Sequence, residues 1–108
     1  MTRIMIVDDH GVVRLGLRNL LSRQPNWTVV AEASTADEAV RRAEESGPDL
    51  IVMDIRLGDG SSGLRACRAI RQRQSETKIL RLTSFAKDDL IIKAVAAEAV
   101  GYILKQIG

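Results

Sequence analysis

Cysteine and long apolar runs are nearly absent from the sequence. The single cysteine, Cys67, excludes an internal disulfide, and it has no companion at the spacing of a zinc site or a redox pair. We therefore expect Cys67 to be a small buried apolar residue on a helix. No apolar run is long enough to cross a bilayer, and the first residues predict a strand instead of a signal peptide. We therefore expect a cytoplasmic protein that makes no membrane contact.

Aromatic residues are also rare, at 3% of the 108 residues, whereas apolar residues make up 45%. This composition predicts one domain with an aliphatic core, which is typical of parallel sheets covered by helices. The net charge of +2 does not by itself indicate nucleic acid binding, because Lys and Arg are interspersed with Asp and Glu. No basic run with interleaved aromatic residues is present, so we do not expect this chain to bind DNA.

Residues 49–60, with the sequence DLIVMDIRLGDG, contain the strand on which the other predictions depend. Its apolar run from Leu50 to Met53 follows Gly47-Pro48 and predicts a short strand that is buried on both faces. The run ends at Asp54, which a glycine-containing turn follows. An isolated Asp in such a place most often caps a turn. In an open α/β sheet, however, the carboxyl end of a strand faces the crevice that binds ligands.

The rest of the chain alternates between strand and helix patterns. Further strands are predicted at residues 3–7, 28–32, 78–82 and 100–104. Helices are predicted at residues 11–24, after the capping box Thr35-Ala36-Asp37-Glu38, around Leu64, Cys67 and Ile70, and from Asp88-Asp89 onward. Trp27 falls in a loop, where we expect it to contribute to packing. The alternation predicts βαβ units with right-handed crossovers and a parallel sheet.

Polar residues stand at the ends of four predicted strands: Asp8, Asp9, Asp54, Thr83 and Lys105. All these ends lie on one edge of a parallel sheet, so the side chains are expected to converge. Three carboxylates that meet without a cation repel one another, and Mg²⁺ is the hard cation that best suits oxygen ligands. The set predicts phosphoryl transfer onto Asp54, with Thr83 and Lys105 contacting the phosphoryl oxygens.

Four segments, in order along the chain, resemble the receiver domain of two-component response regulators. They are Val7-Asp8-Asp9-His10, Met53-Asp54-Ile55-Arg56-Leu57, Leu82-Thr83-Ser84 and Gly101-Tyr102-Ile103-Leu104-Lys105. They are most similar to the NarL/LuxR subfamily of transcriptional regulators. The resemblance covers essentially the whole chain, so residues 1–108 would form one receiver domain. It implies a flavodoxin-like, doubly wound sheet of five parallel strands in the order 2-1-3-4-5.

The resemblance implies a role for each matching residue. Asp54 would be the phosphoacceptor, charged by a sensor histidine kinase or by a small phosphodonor. Mg²⁺ would be held by Asp8, Asp9, Asp54 and the backbone carbonyl of Arg56. Thr83 would be the switch hydroxyl, Lys105 the phosphate-binding lysine and Tyr102 the switch aromatic. Such a domain is not an enzyme beyond catalysing its own phosphorylation and dephosphorylation, and it regulates a transcriptional output domain.

Three accessory residues also have simpler interpretations. His10 follows the acid pair, and a solvated loop histidine is a more economical reading than a metal ligand. Tyr102 can be an ordinary half-buried strand aromatic, and Thr83 can simply end its strand. Two positions also differ from the usual family pattern, because Gly58 replaces a common proline and Glu98 replaces a common glycine. These differences affect rates and partner choice more than the reacting groups.

The chain ends at Gly108, whereas a receiver normally continues into a fifth helix. We therefore expect a receiver that is truncated before that helix. One sheet face would then be covered by the first helix alone, exposing apolar side chains of the first and fifth strands. Exposed apolar patches mark interfaces, so homodimerisation or other self-association is expected. The C-terminal helix-turn-helix domain of the subfamily is expected in the full-length protein, and DNA would bind only through it.

Two other functions are compatible with parts of the pattern. One is a phosphorylation-independent interaction or dimerisation module, which Gly58 and the missing helix favour and which the acids and Lys105 oppose. Mg²⁺ binding discriminates between this module and a phosphoswitch. The other is an aspartyl-phosphate phosphohydrolase. Such enzymes carry a second Asp two residues after the nucleophile, and Arg56 occupies that position here.

Overall fold

The computed structural model describes residues 1–54 and 63–82, which form four strands and three helices. In chain order these are β1 (Thr2–Val7), α1 (Gly11–Ser22), β2 (Trp27–Ala33), α2 (Ala36–Ser46), β3 (Leu50–Asp54), α3 (Gly63–Arg73) and β4 (Lys78–Leu82). The strands are parallel and lie in the order β2-β1-β3-β4, so the predicted order is confirmed for them. The predicted fifth strand and the helix near Asp88 lie outside the described residues. Within the described ranges no helix has the length and apolarity to span a membrane.

Strands β1 and β3 form the middle of the described sheet. Their register pairs Ile4 with Leu50 and Val7 with Met53. Every residue of β3 is buried, as the run of apolar residues predicts for a strand that is covered on both faces. The last four residues of β1 are buried in the same way. The burial of these two strands therefore fixes the positions of the residues at their carboxyl ends.

The two faces of the sheet carry separate hydrophobic clusters. The cluster under α2 and α3 contains Met5, Val7, Ala33, Ala36, Ala39, Ala43, Ile51, Met53, Ala66, Cys67 and Ile70. The cluster under α1 contains Ile4, Ile6, Val13, Leu17, Leu21, Leu50 and Val52. Alternate residues of β1 thus serve opposite faces, as the period of a strand requires. Because Ile4 and Ile6 are completely buried, the prediction that apolar side chains of the first strand are exposed is wrong.

The ends of α2 follow from its sequence with one change. Thr35 is the N-cap, and its hydroxyl accepts a hydrogen bond from the Glu38 N–H at 3.1 Å, as the capping box predicts. The Glu38 carboxylate, however, accepts from the N–H of Ser34 at 3.1 Å instead of from Thr35. At the other end Gly47 has a left-handed conformation, with φ of 56°, and its N–H donates to the Ala43 carbonyl. The second hydrogen bond of the capping box therefore comes from the N–H of the residue before the N-cap.

Three local predictions need correction or refinement. The helix α1 ends at Ser22, two residues before the predicted end at position 24. Trp27 is the first residue of β2 and packs against the α1 cluster, so its predicted place in a loop is wrong. The left-handed turn at Asn26, with φ of 68°, leads straight into the pairing of Trp27 with Thr2. Leu64 is 40% exposed, whereas the burial of Cys67 is confirmed.

Candidate metal centre

Three predicted carboxylates meet at the carboxyl edge of the sheet. Asp8 directly follows β1 and Asp54 ends β3, and the pairing of Val7 with Met53 places these two positions side by side. Both residues are only 1% exposed. One ligand atom from each of Asp8, Asp9, His10 and Asp54 lies within 4.8 Å of the others. The expected convergence of strand ends therefore holds for the three acids, and it includes an imidazole.

His10 contacts both members of the acid pair. Its backbone N–H donates to Asp8 Oδ1 at 2.8 Å. Its ring Nδ1 lies 3.1 Å from that same oxygen and 3.1 Å from Asp9 Oδ1. The side chain is 46% exposed and makes no cap hydrogen bond to α1, although His10 is the N-cap residue. The imidazole is thus partly solvated, as predicted, yet its ring nitrogen is directed at the acids.

Burial of Asp8 is the main electrostatic feature of the site. It raises the pKa of this carboxyl above its ordinary value, because a buried carboxylate loses hydration. Hydrogen bonds from the His10 backbone and ring and the nearby His10 charge act in the opposite direction, while the Asp9 charge raises the pKa further. The raised pKa means that these contacts compensate the buried charge only in part. A bound cation would favour the charged form.

Arg14 is a residue of the site that sequence reasoning missed. Its Nη1 donates to the backbone carbonyl of Asp8 at 2.6 Å, and its Nε lies 3.5 Å from Glu32 Oε1. Arg18 holds the other oxygen of Glu32 at 2.9 Å. Arg14 therefore links the first turn of α1 to the end of β1 and to β2. The available signal was a basic residue in the first turn of a helix, where acidic residues are favoured.

The residues present fit a hard divalent cation. An octahedral ion with oxygen ligands at about 2.1 Å places opposite ligands about 4.2 Å apart, so a cluster within 4.8 Å needs little contraction. Three of the four donors are carboxylates, which such ions prefer. Asp9 Oδ1 is a buried atom that accepts no hydrogen bond from the described residues, its distance to His10 Nδ1 notwithstanding. An ion would bind directly to this oxygen.

Arg56, Thr83, Tyr102 and Lys105 lie outside the described residues, as do Gly58 and Glu98. Strand pairing places Leu82, which immediately precedes Thr83 in the sequence, opposite Asp54. The roles of these residues therefore remain predictions from the family resemblance.

Comparison with known protein families decides what kind of domain this is. The family model described as the response regulator receiver domain matches residues 4–108. The chain belongs to this receiver family. Receiver domains are regulatory phosphoacceptor domains of two-component systems, so the expectation that the chain is not an enzyme is confirmed. Receiver domains bind Mg²⁺ through an acidic pocket, and the carboxylates of this receiver domain form a pocket of that kind.

Individual relatives narrow the subfamily. The receiver domain is 41% identical over 107 residues to the DNA-binding transcriptional activator DevR/DosR of Mycobacterium tuberculosis, covering 99% of this chain and 49% of that protein. It is 42% identical over 105 residues to the transcriptional regulatory protein LiaR of Bacillus subtilis, covering 97% of this chain and 49% of that protein. The chain therefore spans about half the length of these relatives.

A solved structure supports the fold assignment. The crystal structure of a LuxR-family response regulator from Aurantimonas sp. SI85-9A1 has a TM-score of 0.73 and 45% identity to this receiver domain. The alignment covers 92% of this chain and 69% of that one. The predicted flavodoxin-like α/β fold and the resemblance to the NarL/LuxR subfamily are both confirmed.

Proposed function

We propose that Asp54 of this receiver domain accepts a phosphoryl group in a Mg²⁺-dependent reaction and that the resulting acyl phosphate acts as a conformational switch. One observation carries the proposal. Asp54 is almost completely buried at the end of β3, and one of its oxygens lies within 4.8 Å of ligand atoms of Asp8 and Asp9. A nucleophilic carboxylate beside two further carboxylates is the arrangement that a metal-assisted phosphoryl transfer needs.

The transfer requires no redox partner. An oxygen of the Asp54 carboxylate attacks phosphorus, the bond between phosphorus and the nitrogen of a kinase phosphohistidine breaks, and the imidazole leaves with the electron pair. Asp8, Asp9, Asp54 and the Arg56 carbonyl would hold Mg²⁺. When bound, Mg²⁺ neutralises charge on the carboxylates and on the phosphoryl oxygens. Thr83 and Lys105, assigned by family resemblance, would contact the remaining phosphoryl oxygens.

The switch then depends on what the new charge stabilises. A phosphoryl group adds up to about two negative charges and new acceptor oxygens, and it shifts an equilibrium only by its different affinity for the two states. We assign the moving hydroxyl to Thr83 and the responding aromatic to Tyr102 by resemblance. Both relatives named above are transcriptional regulators of about twice this length. We therefore propose that this domain controls a C-terminal helix-turn-helix DNA-binding domain in a cytoplasmic regulator.

The proposed partners are a sensor histidine kinase and a second copy of this chain. Val12 is 60% exposed and Leu15 is 48% exposed on α1, which gives self-association an apolar contact to use. Sedimentation velocity over a range of concentrations is the test, with a Val12→Ser/Leu15→Ser variant as the comparison. Dimers that weaken in the variant are expected. A monomeric profile at every concentration contradicts the self-association proposal.

Intact-mass spectrometry after incubation with acetyl phosphate tests the phosphoacceptor. The wild-type chain should gain one phosphoryl group when Mg²⁺ is present and none when it is chelated. Asp54→Asn should gain none, and its fold should persist because the amide and the carboxylate have nearly the same shape. Asp37→Asn is the matched control, because the Asp37 side chain is 89% exposed and is not a member of the cluster of Asp8, Asp9, His10 and Asp54.

The failure of this experiment has a defined meaning. A folded wild-type chain that gains no mass would contradict the phosphoswitch and favour the phosphorylation-independent interaction module. Thermal unfolding measured at increasing Mg²⁺ concentrations would then show whether the acidic pocket binds the cation at all. Mass gain that persists in Asp54→Asn would contradict the choice of Asp54 and move the acceptor to another residue.

A further inference from the structure

We propose that His10 is a direct ligand of the cation in this receiver domain. The site would then hold its ion with one nitrogen in addition to carboxylate oxygens, and it would favour Mn²⁺ over Mg²⁺ more strongly than a site built from oxygens alone. The inference rests on the proposed cation site at Asp8, Asp9 and Asp54. It adds a ligand to that site and a preference among cations.

The distances around the imidazole support coordination. Nδ1 of His10 lies 3.1 Å from Asp8 Oδ1 and 3.1 Å from Asp9 Oδ1. Two ligands at right angles on an ion with bonds of about 2.1 to 2.2 Å are separated by about 3.0 to 3.1 Å. The nitrogen therefore already has the spacing of a neighbouring ligand to two carboxylate oxygens. Its distance to the Asp54 ligand atom also lies within the 4.8 Å limit of the cluster.

The backbone holds the imidazole in this position. The His10 N–H donates to Asp8 Oδ1 at 2.8 Å, and the His10 carbonyl accepts from the N–H of Arg14 at 3.1 Å in the first turn of α1. Both peptide groups of the residue are thus fixed relative to the acid pair. The ring is 46% exposed, so a small rotation toward an ion meets little packing resistance. A ligand on a fixed backbone next to the other ligands loses little freedom when the ion binds.

The distance from Nδ1 to Asp8 Oδ1 would also suit a hydrogen bond from an Nδ1–H group to that carboxylate. The two interpretations differ in what the ring offers to an ion. A coordinating nitrogen must be unprotonated and must contact the ion, whereas a hydrogen-bonding N–H stays outside its coordination shell. Imidazole is also a better ligand for divalent first-row transition metals, of which Mn²⁺ is the weakest binder, than for Mg²⁺, which prefers oxygen. Direct contact between nitrogen and metal, together with cation preference, therefore separates the alternatives.

The test is electron spin echo envelope modulation spectroscopy of the Mn²⁺-loaded, tag-free chain. His10 is the only histidine among the 108 residues, so incorporation of ¹⁵N-histidine labels one imidazole and no other. The unlabelled protein should show strong ¹⁴N modulation, which the ¹⁵N pattern replaces on labelling and which His10→Ala loses. Arg73→Gln is the matched control, because Arg73 is a 62% exposed residue at the C-terminal end of α3 that pairs with Glu44 and lies outside the ligand cluster, and its spectrum should keep the modulation.

Cation affinities provide the second measurement. His10→Ala should weaken Mn²⁺ binding by at least about tenfold, the smaller of the usual losses for disturbing a metal site, and should weaken Mg²⁺ binding less. Mn²⁺ binding with identical spectra from labelled and unlabelled protein would overturn the His10 assignment while leaving the carboxylate site intact. A wild-type chain that binds neither Mn²⁺ nor Mg²⁺ would overturn the proposed site itself. Loss of Mn²⁺ binding in Asp8→Asn ties the signal to this site, and unchanged binding overturns the assignment.

Discussion

The interiors of β1 and β3 differ sharply from their carboxyl ends. Residues Ile4 to Val7 and Leu50 to Met53 are buried and apolar, and each such side chain contributes about 1.5 to 3 kcal/mol when fully buried. One residue further along, Asp8 and Asp54 are buried equally deeply but carry carboxylates. Burial stabilises the first group and destabilises the charged form of the second. The buried apolar side chains of the strand interiors thus offset the destabilisation from the buried carboxylates at the strand ends.

A cavity in the interior should have the largest effect. Ile51 is completely buried in the cluster under α2 and α3, so Ile51→Ala should lower the free energy of unfolding by about 2 to 5 kcal/mol. Val12→Ala is the matched control on an exposed position and should change it by less than about 0.5 kcal/mol. Urea denaturation measures both. A loss below about 1 kcal/mol for Ile51→Ala would contradict the claim that this interior carries the stability.

Removing the buried charge of Asp8 at the sheet edge should raise the free energy of unfolding instead of lowering it. Asp8→Asn removes a buried charge while keeping an oxygen for the His10 N–H, so without Mg²⁺ it should raise the free energy of unfolding at neutral pH. Mg²⁺ should stabilise the wild-type chain and leave the variant unchanged, since only a folded state that binds the ion gains from it. Urea unfolding with and without Mg²⁺ measures both effects. A variant less stable than wild type in chelator would contradict the account.

The stabilisation by Asp8→Asn should depend on pH. Burial raises the pKa of Asp8, so the folded chain binds a proton more tightly than the unfolded chain does. Above the raised pKa the buried charge destabilises the folded state fully, and as pH falls through that pKa the destabilisation disappears. The stability difference between Asp8→Asn and wild type should therefore shrink on acidification. Urea unfolding across this range checks it, and a difference that grew toward low pH would show that the pKa of Asp8 is lowered.

Hydrophobic periodicity predicted most of the described fold because the pattern reports burial directly. The apolar run Leu50 to Met53 correctly predicted β3, and the helix predicted from residue 11 is found as α1. Trp27 was misassigned because its place depends on pairing with Thr2, which lies 25 positions away and leaves no local pattern. The displaced bond of Glu38 has a similar cause, since Ser34 and Thr35 offer neighbouring N–H groups and the sequence does not distinguish them.

The site was predictable only as far as topology determines it. Strand ends of a parallel sheet share an edge, so the meeting of Asp8 and Asp54 follows from locating β1 and β3. The contacts of Arg14 and His10 depend on side-chain rotamers and on the short connection into α1, which have no periodicity. Sequence reasoning therefore located the carboxylates and the partly solvated His10 beside them, but it missed the contacts of the His10 ring with the acids and missed Arg14 altogether.

The N-cap of α2 is a polar residue that stabilises the fold, in contrast to the buried carboxylates at the sheet edge, and its expected contribution is small. Its N-cap, Thr35, accepts a hydrogen bond from the Glu38 N–H, as a cap chosen for stability should. Thr35→Ala should therefore lower the free energy of unfolding by about 1 kcal/mol. Thermal and urea unfolding measure the loss, and Thr35→Ser, which keeps the hydroxyl, should restore most of it. Equal losses in both variants would show that the hydroxyl is not the stabilising group.

The N-cap of α1 should contribute least to stability. His10 makes no side-chain cap hydrogen bond, and its half-exposed ring faces the acids instead. In chelator, His10→Ala should therefore lower the free energy of unfolding by less than about 1 kcal/mol, because the ring contact to Asp8 that it removes has a half-exposed partner and the backbone N–H bond to Asp8 persists. The contrast with Thr35→Ala is the informative quantity, measured in the same urea series. A loss as large as that of Thr35→Ala would show that the imidazole stabilises the fold. A negligible loss would favour cation binding as the role of the ring.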